Sequence, residues 1–102
     1  MLPELDFSNI TNIGEYTCHN CTNLEFIKLN PNGCSIGDNA FENCEKLNAI
    51  WYYEPIKSIG NYSFRNCTGL TEIVLRDAES IGSYAFENCQ NLSRIDIGSN
   101  CT

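Results

Sequence analysis

The sequence predicts an α/β solenoid, with a parallel sheet along one face and short helices along the other, and three observations carry that expectation. Cys21, Cys44, Cys67 and Cys89 are separated by 23, 23 and 22 residues, a period that belongs to stacked supersecondary units. Around each of them one frame recurs, with Ile13-Gly14, Ile36-Gly37, Ile59-Gly60 and Ile81-Gly82 upstream and Leu24, Leu47, Leu70 and Leu92 downstream. Each leucine then opens an alternating stretch: Ile27, Ile50, Ile73 and Ile95 come three residues later, and Leu29, Tyr52, Leu75 and Ile97 two residues after those.

In Leu70-Thr71-Glu72-Ile73-Val74-Leu75 the closing Ile-x-Leu has the period of a strand with one buried face. Stacking the repeats turns these strands into a parallel sheet. Ile10 and Ile56 suggest a second short strand before the Ile-Gly corner, with weaker support where Gly33 or Ala78 stands instead. Pro31 and Pro55 fall between strand and corner, where a ladder donor is dispensable. The Gly after each Ile permits a backbone geometry that a side chain resists. Beyond the corner, Ala85, Phe86 and Cys89 are spaced to share one inward face of a short helix over Tyr84–Cys89. Leu2, Leu5 and Phe7 fit the tail of a unit. Residues 1–102 therefore read as a single solenoid of about four repeats plus a partial N-terminal one, a fragment of a longer array.

Composition removes several classes of function. The 102 residues are 42% hydrophobic, within the globular range once the 7 Gly are added. No apolar run is long enough to insert in a membrane, and Met1-Leu2-Pro3-Glu4 lacks a signal peptide's profile. With 13 Asp and Glu against 6 Lys and Arg, the net charge of -7 repels phosphate backbones, so nucleic acid is not an expected partner. His19 is the one imidazole available.

The run Ile81-Gly82-Ser83-Tyr84-Ala85-Phe86-Glu87-Asn88-Cys89-Gln90-Asn91-Leu92-Ser93-Arg94-Ile95-Asp96-Ile97 resembles the BspA-type leucine-rich repeat, and the likeness extends over nearly the whole chain in four tandem copies. Three positions depart from it: Cys18 stands where Phe41, Phe64 and Phe86 stand, Thr17 replaces the small Ala, and Tyr52 replaces the last strand Leu. The resemblance implies a leucine-rich-repeat solenoid in a secreted or cell-surface protein of bacteria or parasitic protists, one that binds macromolecules of a host or neighbouring cell and catalyses nothing.

Cys18-His19-Asn20-Cys21 could seed a zinc site, but a structural site needs four ligands and no second Cys pair stands at metal spacing. The repeat frame points Cys18 and Cys21 inward and puts His19 in the exposed slot that Glu42, Arg65 and Glu87 fill elsewhere. Cys18 and His19 are neighbours whose side chains diverge, which does not make a nucleophile pair. No catalytic residue, metal ligand or cofactor is expected. Ladder disulfides among Cys21, Cys44, Cys67 and Cys89 are not expected either, because side chains stacked at about 4.8 Å lie beyond disulfide Cβ separations. Cys34 and Cys101 lie outside the ladder and are the candidate exposed thiols. Six Asn-x-Ser/Thr sequons begin at Asn9, Asn20, Asn61, Asn66, Asn91 and Asn100; a chain rich in Asn, Ser and Thr produces them by chance. Asn20, Asn43, Asn66 and Asn88 hold one slot per repeat, where a short amide tolerates left-handed geometry or bonds a neighbouring turn.

If Leu and Ile face the core, the residues between them face outward. That rule lines up Glu4, Phe26, Ala49, Glu72 and Arg94, then Asp6, Lys28, Trp51, Val74 and Asp96, then Ser8, Asn30, Tyr53, Arg76 and Gly98. Phe26, Lys28, Trp51, Tyr53, Val74 and Arg76 form the candidate partner-binding patch, because aromatic residues beside Arg have the composition of an interface hot spot. Trp51 and Tyr53 packed beneath a loop remain the alternative. The leading expectation is a protein ligand held on the sheet face. A structural array stacking end to end on its own copies is the second reading. Carbohydrate binding is the third, with Trp51 and Tyr53 stacking on sugar rings and Asn30, Glu72 and Arg76 taking hydroxyls.

Overall fold

Branched side chains at alternate positions cannot bury themselves within one 23-residue turn of chain, so each repeat completes its core only against its neighbours. In the computed structural model, which describes residues 4–51, 56–76 and 78–97, this stacking produces two strands per repeat. The Ile-x-Leu segments are β1 (Glu4–Asp6), β3 (Phe26–Lys28), β5 (Ala49–Trp51), β7 (Glu72–Leu75) and β9 (Arg94–Ile97). The corner segments are β2 (Asn12–Ile13), β4 (Cys34–Ile36), β6 (Ile56–Ile59) and β8 (Ser80–Ile81). Every described pairing is parallel, in the orders β1-β3-β5, β7-β9 and β2-β4-β6-β8. Leu5 registers with Ile27, Ile27 with Ile50, and Ile73 with Ile95, so equivalent residues stack in columns.

The core runs along the stack. Leu24, Leu47, Leu70, Ile27, Ile73, Leu29 and Leu75 are fully buried. Phe41, Phe64 and Phe86 stack face to face at 5.4 and 5.6 Å. Cys18 is too small to continue that column, and Phe7 instead meets Phe41 edge-on at 5.9 Å.

The expected helices are absent among the described residues. Turns occupy their place, with left-handed backbone at Tyr16, Asn39, Tyr62 and Tyr84 and again at Asn20, Asn43, Asn66 and Asn88. Two consecutive turns satisfy the same inward spacing of Ala85, Phe86 and Cys89 that suggested a helical face. Alternate amides bond across repeats while those between them close the turns: Phe41 N–H donates to Ser63 O, Asn43 to Arg65 O, Phe64 to Ala85 O and Asn66 to Glu87 O, each at 2.8 Å. A six-residue helix is too short to offset its own nucleation, whereas the next repeat offers acceptors already in register. The turns thus form a third hydrogen-bonded face.

Two further expectations are corrected here. The corner glycines are required by proximity, since Gly37, Gly60 and Gly82 have ordinary φ but a Cβ at each would meet the preceding repeat's backbone at 2.8, 2.6 and 2.5 Å. Cys34 is buried rather than exposed: Gly33 (φ 119°) and a register shift between Cys34 and Ser35 turn the thiol inward opposite Ile56. The second strand consequently forms in all four repeats, while Ile10 lies outside it and is exposed.

Ser63 occupies the column of Ala40 and Ala85, fully buried, and its hydroxyl has no partner among the described residues. Ser63→Ala should therefore stabilise the fold by about 1 kcal/mol, since the alanine has no polar group to desolvate. Urea unfolding reads this directly, and a loss of stability would mean that the hydroxyl is bonded.

Candidate functional site

On the sheet face the strands hold outward residues in fixed columns. Phe26 and Lys28 are half-buried on β3, with Lys28 Nζ 3.9 Å from Glu4 Oε2. At the other end Arg76 donates from Nε to Asp96 Oδ2 at 3.0 Å, and its Nη2 lies 2.9 Å from the same oxygen. Arg94 lies 3.6 Å from Glu72 and 3.7 Å from Asp96. Exposed pairs of this kind contribute about 1 kcal/mol or less to stability; their effect is to orient long side chains across neighbouring strands. Trp51 closes β5, but its side chain and all of Tyr53 lie outside the described residues.

Val74 departs from the exposed patch that the alternation predicts, being only 6% exposed. It stands in register with Asp96, whose carboxylate holds Arg76, and a short branched side chain among longer neighbours is shaded by them. Asn30 is also buried, and its Oδ1 accepts Asn32 N–H at 2.9 Å. The sheet face thus brings Lys28, Phe26 and their acidic neighbour together on one side and Arg76 with Asp96 on the other, and it withdraws Val74 from the surface.

The turn face carries structural chemistry. Asn43 Nδ2 donates to Asn20 Oδ1 at 2.6 Å, Asn66 to Asn43 at 2.6 Å and Asn88 to Asn66 at 3.0 Å, a continuous amide ladder. Below it the thiols of Cys44, Cys67 and Cys89 donate to the carbonyls of Cys18, Phe41 and Phe64 at 3.1, 3.1 and 3.0 Å. Burial, more than any neighbouring charge, pushes the Cys18 and Cys44 thiols up to about 12 and raises Cys67 further. Cys44 and Cys67 are protonated structural donors.

A second network went unread in the sequence. Glu42 is buried, and its carboxylate receives Asn39 Nδ2 at 2.8 Å, Arg65 Nη1 at 3.3 Å and His19 Nε2 at 3.2 Å. Arg65 Nε sits 2.7 Å from Glu87 Oε1, off the N–H axis, so the contact is ionic without being a well-aligned hydrogen bond. His19, Glu42, Arg65 and Glu87 are equivalent positions of successive repeats, and their alternation in charge was the available signal. His19 turns toward Glu42 and away from the inward thiols of Cys18 and Cys21. Among the described residues no three metal-ligating side chains converge.

The three laddered faces and the 23-residue register are those of a leucine-rich-repeat solenoid, and a family model for the BspA type leucine rich repeat region matches residues 2–102 in six copies. The chain belongs to this family. BspA-type arrays are typically non-enzymatic interaction modules, often secreted or at the cell surface. A solved leucine-rich repeat protein from Bacteroides ovatus ATCC 8483 superposes with a TM-score of 0.53 at 19% identity, covering 98% of this chain. That likeness shows the fold, and this BspA-type chain spans 38% of the neighbour's length. The comparison with curated proteins gives no match. No described helix is long and apolar enough to cross a membrane.

Proposed function

We propose that this chain is a non-catalytic, adhesion-type module of a secreted or surface-displayed protein, and that its sheet face holds a protein partner. One observation supports this reading above the others. The turn face carries ladders that run from copy to copy, Asn over Asn and thiol over carbonyl, whereas the outward sheet columns change chemistry from Glu4 to Phe26 and Ala49, and from Glu72 to Arg94. The variable columns are held rigidly by parallel strands, which favours recognition with little ordering cost. Carbohydrate recognition is the weaker reading, because Asn30, one of its hydroxyl-binding residues, is buried with its carboxamide oxygen already bonded.

The test is a panel of immobilised extracellular-matrix proteins read by surface plasmon resonance. For any protein that binds, Trp51→Ala or Tyr53→Ala should raise Kd about 30-fold, the effect of losing a hot-spot anchor of about 2 kcal/mol. Phe26→Ala and Arg76→Ala should weaken binding less. Glu87→Ala, on the turn face, should leave it unchanged. Equal losses on both faces would move the site off the sheet, and unfolding of the Trp51→Ala chain would place that residue in the core.

A further inference from the structure

The first repeat is the one that places two cysteines in a single turn, because Cys18 takes the position held by Phe41, Phe64 and Phe86 in the others. The turn is closed by Cys21 N–H donating to Cys18 O at 3.1 Å. A closed four-residue turn holds its first and last Cα atoms within about 7 Å, inside the range a disulfide spans. Both side chains pack on the same inward side, Cys18 at 2% exposure and Cys21 partly exposed against the core. The thiol ladder makes no use of the Cys18 sulfur, since Cys44 donates to the Cys18 carbonyl oxygen. The pair can therefore change state while the described ladder bonds stay in place.

We infer that Cys18 and Cys21 form an oxidisable dithiol, closing to an intra-turn disulfide by exchange with a small disulfide such as glutathione disulfide. Cys21, the accessible thiol, attacks first as its thiolate; a Cys21–glutathione bond forms, the glutathione disulfide bond breaks, and one glutathione leaves. The Cys18 thiolate then attacks the Cys21 sulfur, the Cys18–Cys21 bond forms, and the second glutathione leaves. The protein loses two electrons and two protons, and both pass to the two glutathione thiols. Burial makes Cys18 hard to ionise, so closure is the slow step and quickens about tenfold per pH unit between roughly pH 7 and pH 9. In an oxidising extracellular setting the disulfide would staple the first turn of the array.

The experiment uses the full chain carrying Cys101→Ser, incubated with glutathione disulfide at pH 7 and pH 9, acid-quenched, alkylated and peptide-mapped by mass spectrometry. The expected result is a glutathione adduct on Cys21 that gives way to a Cys18–Cys21 disulfide, faster at pH 9, with Cys44 and Cys67 alkylated only after unfolding. Cys18→Ser should stop at the adduct, and Cys21→Ser should abolish both products. A Cys21–Cys44 crosslink, an adduct that never closes, or no reaction at either cysteine would each overturn the inference.

Discussion

Gly60→Ala should destabilise the solenoid by about 3 kcal/mol or more, the upper range for overpacking a core. For a domain of this size that lowers Tm by roughly 12 °C or more. The added Cβ would lie 2.6 Å from Asp38 N and 2.7 Å from Gly37 C, both backbone atoms of the neighbouring repeat. Neither can move without parting the bond from Gly60 N–H to Ile36 O, 2.8 Å long, that holds the two corners together. Gly14 is the internal control: the nearest atom to a Cβ there is Thr17 Oγ1 at 3.8 Å. Gly14→Ala should be neutral or gain about 0.5 kcal/mol by restricting the unfolded chain. Thermal unfolding of both variants checks the pair, and similar small shifts would mean that the repeats are not packed at this spacing.

Alkaline pH should unfold the chain unusually steeply. Burial raises the thiols of Cys18 and Cys44 to about 12 and that of Cys67 higher still, with Cys34 and Cys89 also raised. Ionisation would also deprive Cys44 and Cys67 of the S–H that each donates to a carbonyl. In the unfolded chain these thiols titrate near their ordinary value of about 8.5. Below that pH both states hold the protons and the stabilisation is complete. Above it the unfolded state binds fewer protons than the folded one, so stability falls as pH rises. Each retained proton contributes about 1.4 kcal/mol per pH unit, and the three most perturbed thiols together about 4 kcal/mol per unit. Against a typical stability of roughly 5–15 kcal/mol, unfolding should be complete within a few pH units above 9. Urea titrations under reducing conditions measure the slope, and Cys67→Ser should lower it by one proton's worth. Stability that stays flat to pH 10.5 would show that the thiols are not enclosed.

The stacked architecture was legible because its signals are periodic. The cysteine spacing, the Ile-Gly corners and the asparagine column each recur with the repeat, and the left-handed φ at Asn20, Asn43, Asn66 and Asn88 is what a short amide tolerates. The helix reading failed because apolar spacings of three and four residues do not distinguish a helical turn from two successive turns. What decides between them is where the amides find acceptors, and Ser63 O and Ala85 O belong to other repeats. Left-handed backbone at Tyr16, Tyr62 and Tyr84 has no signal in the residue type, since it costs an ordinary side chain about 1–2 kcal/mol and is imposed by the ladder. Cys34 was misplaced because the register with the next repeat's strand shifts by a residue between Cys34 and Ser35, leaving Lys57 unpaired in that ladder. Val74 was misplaced because alternation states which way a side chain points and not how far its neighbours reach over it. Glu42 was assigned to an exposed slot and is buried, because its three partners lie in its own repeat and in those on either side.

The turn face is a ladder between repeats, which commits it to structure. Scalar couplings across hydrogen bonds, measured by NMR on uniformly labelled protein, test it most directly. The ladder predicts couplings from Phe64 N to the carbonyl carbon of Ala85 and from Asn66 N to that of Glu87. Couplings from Phe64 N to Gly60 and from Asn66 N to Tyr62 would instead report a helix within each repeat and rule out the ladder.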